Sequence, residues 1–175
     1  MRIAFLASSL ILGLLSCAAA DRIELPSGGS LRVATKSAKT QFDVSSADGA
    51  SHRVSVERDA TVSPKAAPAN VKIIGQVNPS VVILVDSYPS VPGGMSMCQA
   101  GEERFLRVIS IAKKPAQETY RLKLESCRDN IELASPGLEW RADSSTLAIK
   151  WLGGPGAKGK PEERTLKIAP DGKVQ

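Results

Sequence analysis

Histidine occurs once in the 175 residues, at His52, and that scarcity excludes most hydrolytic chemistry. A Ser or Cys nucleophile needs a base within hydrogen-bond reach, nearly always histidine, oriented in turn by an acid. No serine stands in a Gly-x-Ser-x-Gly turn, and His52 falls at a hairpin end in the strand pattern, where a partly exposed structural role is expected. One histidine and no clustered Asp/Glu spacing also exclude most zinc and calcium designs. Met95 and Met97 are soft ligands in kind, but two isolated thioethers are more often loop packing than a copper site. No metal, no cofactor and no enzymatic activity are therefore expected. Aromatic residues make up only 4% of the chain and the net charge is a mild +5, so base-stacking surfaces are hard to build and nucleic acid is not an expected partner. The acids Glu102, Glu103, Glu125, Asp129 and Glu132 stand beside Arg104, Arg107 and Arg128. They read as solvated salt-bridging charges rather than a glycosidase pair.

Long apolar runs are absent except at the start. Arg2 precedes an uncharged stretch over residues 3–15, and Ala18, Ala19 and Ala20 offer small residues for a peptidase. The stretch is short of the ~20 residues a spanning helix needs, and it has the form of a secretory signal. Residues 1–20 are expected to be a signal peptide, residues 21–175 a single β-domain, and the destination a bacterial periplasm. Leu14, Leu15, Ser16 and Cys17 resemble the lipobox of bacterial lipoproteins. That resemblance implies the alternative in which residues 1–16 are removed and a lipid on Cys17 tethers the protein to the outer membrane.

Either processing route takes Cys17 out of thiol chemistry, so the odd count of three cysteines becomes an even pair, Cys98 and Cys127. In an oxidising compartment this pair is expected to form a disulfide, since it lacks the Cys-x-x-Cys spacing of redox or zinc sites. Closing a loop of that length contributes about 3 kcal/mol through the restricted unfolded chain.

No segment after residue 20 keeps apolar residues at helical spacing for three turns, whereas period-2 stretches broken by Gly, Pro, Asp and Ser recur throughout. The fold expected is all-β, an antiparallel β-sandwich or partly open barrel of roughly nine or ten short strands. Residues 81–85 are apolar on both parities, which places that strand in the middle, covered on both faces. A loop at Asp48, Gly49 and Ala50 is expected to set Phe42 opposite Val56 and Val44 opposite Val54, with His52 opposite Ser46. Further pairings expected are Leu106 with Leu124, Val108 with Leu122, Trp140 with Ile149, and Trp151 with Leu166. Cys127 is then opposite Glu103.

Two surfaces stand out for binding. Residues 87–97 form a proline-rich loop leaving the most buried strand and pinned by Cys98, and it carries the interface-type side chains Tyr88, Met95 and Met97. The second is a basic hairpin tip with Lys158 and Lys160; residues 150–175 hold six Lys or Arg against three acids. Gly154 to Lys160 spell G-x-x-x-x-G-K, but Pro161 replaces the hydroxyl residue that a phosphate-binding loop needs, and the following pattern is a strand. Together these features point to a non-enzymatic exported binding protein with a protein partner in the envelope. In its most concrete version it is a periplasmic inhibitor or immunity protein that neutralises an envelope-acting toxin or hydrolase. The alternative is an envelope assembly or ligand-carrying module, touching membrane only through a lipid on Cys17.

Overall fold

The computed structural model describes residues 22–36, 39–63, 66–91, 98, 101–156 and 159–175. Eleven strands form three open antiparallel sheets. The first holds β1 (Arg22–Glu24), β2 (Ser30–Lys36), β3 (Lys39–Ser45) and β4 (Ser51–Val56). The second holds β5 (Asn70–Asn78), β6 (Val81–Pro89), β7 (Glu102–Ser110) and β8 (Gln117–Ser126), and the third β9 (Glu132–Arg141), β10 (Thr146–Gly153) and β11 (Glu162–Lys167). Every sheet is ordered as the chain runs, so pairing is between sequence neighbours. The described residues include no helix.

The second sheet is the centre of the fold. Val82 and Leu84 of β6, with Ile109 of β7, pack against Leu31, Phe42, Val44 and Val54 of the first sheet. Val81 and Ile83, with Leu106, Val108 and Leu124, pack against Leu147, Ile149, Trp151 and Leu166 of the third. Alternate residues of one apolar strand thus feed two separate cores, which is why that strand lacks a polar face. Each such side chain, fully buried, stabilises by about 1.5–3 kcal/mol relative to exposure.

The registers differ from those expected, always by a shift that keeps each apolar side chain inward or by a bulge. In the first hairpin Phe42 faces Val54, Val44 faces His52 and Ser45 faces Ser51. The turn is longer than expected because Asp48 organises it. Its carboxylate accepts from the Ser46 hydroxyl at 2.5 Å and the Ala50 amide at 3.1 Å, while Gly49 takes φ of 84°, a conformation that favours glycine. The slip is two residues, so Phe42, Val44, Val54 and Val56 stay buried. Between β7 and β8, bulges after Arg104 and Val108 set Leu106 against Leu122 and Val108 against Tyr120, and put Ser126 rather than Cys127 opposite Glu103. In the third sheet Trp140 faces Leu147, Trp151 faces Glu162, and Leu147 faces Leu166. Here β9 bulges: Leu138 pairs with Ile149 and Leu133 with Trp151, so residues 134–137 stand against Lys150 alone. Pro136 lies in that stretch and has no amide to continue the ladder.

Candidate functional site

The expected pair is bonded: Cys98 and Cys127 form a disulfide with Cα atoms 5.7 Å apart. Cys127 immediately follows β8, and the bond brings Cys98 to the end of the central sheet. Both feet of the intervening crossover are held as well. The Ser90 amide donates to the Gly101 carbonyl at 2.9 Å and the Val91 amide to the Thr61 carbonyl at 2.8 Å. Gly101 lies so close to the bridge that a Cβ there would sit 2.7 Å from Cys127 Cβ, so only glycine fits without displacing the bond. Met95 and Met97, at residues 92–97 between these feet, lie outside the described residues, as do Cys17 and Lys158.

Beneath the feet is a polar cluster. Glu103 is fully buried; the Ser90 hydroxyl donates to one carboxylate oxygen at 2.7 Å, and the Thr61 hydroxyl lies 3.0 Å from the other. That hydroxyl is also 2.7 Å from Asp59, and Lys123 Nζ bridges Asp59 at 3.2 Å and Asp129 at 2.5 Å. Burial pushes the Asp59 carboxyl up, but hydrogen bonds from the Thr61 amide and hydroxyl and from Lys123 outweigh it and hold the group below its ordinary value. Burial likewise opposes the charge on Lys123, and the bonds to Asp129 and Asp59 prevail and raise it.

A second cluster fills the polar half of the interface between the first two sheets. Arg107 and Asp86 are both fully buried, with Arg107 Nε 2.8 Å from each Asp86 oxygen. Arg107 Nη1 donates to Glu118 at 2.6 Å, and the Arg107 guanidinium stacks 5.4 Å from the Phe105 ring centre. The Tyr88 hydroxyl donates to Asp86 at 2.5 Å and lies 2.8 Å from Thr40 Oγ1 on β3, which ties the two sheets. Burial, then the neighbouring Asp86 charge, raises the Tyr88 phenol far above its ordinary range.

These placements correct the sequence reading in three residues. Tyr88 is 0% exposed and packs on Phe105 and Val62, so it is an interior anchor and offers no side chain to a partner. Arg107 and Glu103, read as solvated, are 0% exposed. The signal was present: Phe105, Arg107 and Ile109 share one parity, as do Leu84, Asp86 and Tyr88. Each charge therefore lies on a face that its apolar neighbours mark as buried.

At the basic tip, Lys160 is exposed. The amide of Gly156 donates to Glu162 at 2.9 Å, and Arg164 Nε donates to the other oxygen of that carboxylate at 2.7 Å. The chain's own acid takes up the Gly156 amide, and the next element is strand β11, where a phosphate-binding loop needs a helix. Elsewhere, a groove of about 540 Å³ opens between the β9 bulge and the uncovered end of the central sheet. Ile74, Val85, Leu124, Leu133 and Trp140 line it together with Lys72 and Arg104 at the sides. Among the described residues, no three His, Cys, Asp or Glu gather where they would hold a metal.

Comparison with known proteins returned no matching family model, no matching curated protein and no matching solved structure.

Proposed function

We propose that this chain is a non-enzymatic exported binding protein that neutralises an envelope-acting toxin or hydrolase by protein contact. The crossover clamped by Cys98–Cys127 serves as the contact surface. The observation that carries the reading is the doubly fixed base. A disulfide, two backbone hydrogen bonds and the buried Glu103 cluster hold the ends of the crossover, and fixed ends reduce the entropy a segment loses on binding. Met95 and Met97 are the contact side chains in this reading. The test is capture from periplasmic extract by the native chain and by a Met95→Ala/Met97→Ala variant of equal melting temperature. A one-to-one complex lost in the variant supports the reading; recovery of no partner, or equal recovery by both, overturns it.

The groove beside the β9 bulge favours a second reading, a ligand-carrying envelope module, because its volume and mixed polar and apolar lining suit a small amphiphile. In that reading a lipid on Cys17 and the Lys158 and Lys160 tip hold the protein at anionic surfaces. Fatty-acid labelling of the native chain, absent in Cys17→Ala, is the result it requires.

A further inference from the structure

We propose that the outward face of β1–β4 binds the phosphoryl group of a small soluble ligand at Arg32. Strand alternation sends Leu31, Phe42, Val44 and Val54 into the core, so Arg32, Asp43 and Arg53 project to the other side. Register sets Arg22 opposite Arg32, Arg32 opposite Asp43, and Asp43 opposite Arg53. One row of charge therefore crosses all four strands, spanning about 14 Å at ordinary strand spacing.

The acids on this face are already taken. Arg53 grips both oxygens of Asp43, at 2.7 and 3.2 Å, Arg22 holds Glu24 at 2.8 Å, and Lys39 holds Glu57 at 2.5 Å. Arg32 has no ion pair or hydrogen bond among the described residues, although it stands directly opposite Arg22, where like charges repel. The adjoining row is Ser30, Ser45 and Ser51, paired in register, and none of these hydroxyls has a partner among the described residues.

Guanidinium and hydroxyls border one basin of about 550 Å³, closed at one end by the turns at Gly29 and Gly49. Ser30 lies in it with only 3% of its surface exposed. A small phosphate ester is of a size to enter that basin. The donors outnumber the acceptors, which suits a group with three acceptor oxygens better than a carboxylate with two. The Arg32 fork matches it by two parallel bonds. This site is separate from the clamped crossover, so it stands or falls independently of the proposed function.

The test is titration of the mature chain with inorganic pyrophosphate, read by calorimetry and amide chemical shifts. Saturable one-to-one binding is expected, with shifts at Ser30, Asp43 and Ser45. Arg32→Gln, an exposed substitution whose fold is checked by melting, is expected to weaken binding at least about tenfold. Arg141→Gln, at an exposed position on the third sheet, is expected to leave it unchanged. Absence of saturation, equal weakening by Arg32→Gln and Arg141→Gln, or Arg32-dependent binding to anionic phospholipid vesicles without binding of pyrophosphate each overturns the proposal.

Discussion

Asp86→Ala is the perturbation whose cost follows most directly from the geometry. It removes the carboxylate that accepts from Arg107 Nε through both oxygens and from the Tyr88 hydroxyl. Among the described residues, Arg107 remains fully buried with Glu118 as its one carboxylate and Nη2 without a hydrogen-bond partner. Removing one member of a buried ion pair costs about 3–5 kcal/mol, mostly because the other charge is left uncompensated. For a domain of this size, each kcal/mol lowers the melting temperature by about 2–4 °C, so a fall of about 6–20 °C is expected. Urea unfolding at pH 7, followed through Trp140 and Trp151 fluorescence, reads the same quantity, with the denaturant slope unchanged. Moderate salt is expected to leave the difference intact, because buried pairs are poorly screened. The triple substitution Asp86→Leu/Arg107→Met/Tyr88→Phe, which replaces the ion pair and the phenol with apolar volume and leaves Thr40 and Glu118 in place, is expected to regain part of the loss. A cost for Asp86→Ala below about 1 kcal/mol, the level of an exposed pair, refutes the assignment of Arg107 and Asp86 as an interior lock. A triple variant no better than the single one refutes the account of why the single one fails.

Cys98→Ser/Cys127→Ser opens a loop with a sequence separation of 29 and is expected to cost about 3–4 kcal/mol in urea unfolding; thiol titration of the non-reduced native domain is expected to find both sulfurs unreactive. The depressed Asp59 carboxyl gives a pH signature. Its contribution is full above the unfolded value of about 3.9 and is lost as pH falls through the lower folded value. The stability gap between the native chain and Asp59→Asn should therefore be largest near neutrality and close in acid; a gap that widens below pH 4 contradicts the assignment. Gly75→Ala would place a Cβ 2.4 Å from the Trp140 ring and is expected to destabilise by about 1–3 kcal/mol. Loss of near-UV circular dichroism from the displaced indole checks it.

How far the fold could be read in advance depended on whether each signal was local. Period-2 alternation marks strands because side chains leave a strand on alternate sides, whatever surrounds it. The apolar run over residues 81–85 announced a strand covered twice, since polar side chains on either parity would mark a wet face. Cysteine counting paired Cys98 with Cys127 because one thiol lay in the stretch read as a leader and two remained. Registers were less legible. The Asp48 turn and the bulges after Arg104, Val108 and Ile149 each add or remove residues without altering the alternation that a sequence displays.

What the chain alone determined was strand content, the central position of β6 and the partner of each late cysteine, all consequences of pattern and count. Tertiary structure decided which polar residues are interior. Alternation says that Arg107 shares a face with Phe105 and Ile109, and Asp86 with Leu84 and Tyr88. Only the docking of β3 and β4 over that face removes water from both charges and makes them each other's partners. It likewise turned Tyr88 inward to Thr40 and left Arg32 on the far side of the same sheet with no carboxylate partner among the described residues. Burial is a property of two surfaces brought together, and one strand's sequence carries only one of them.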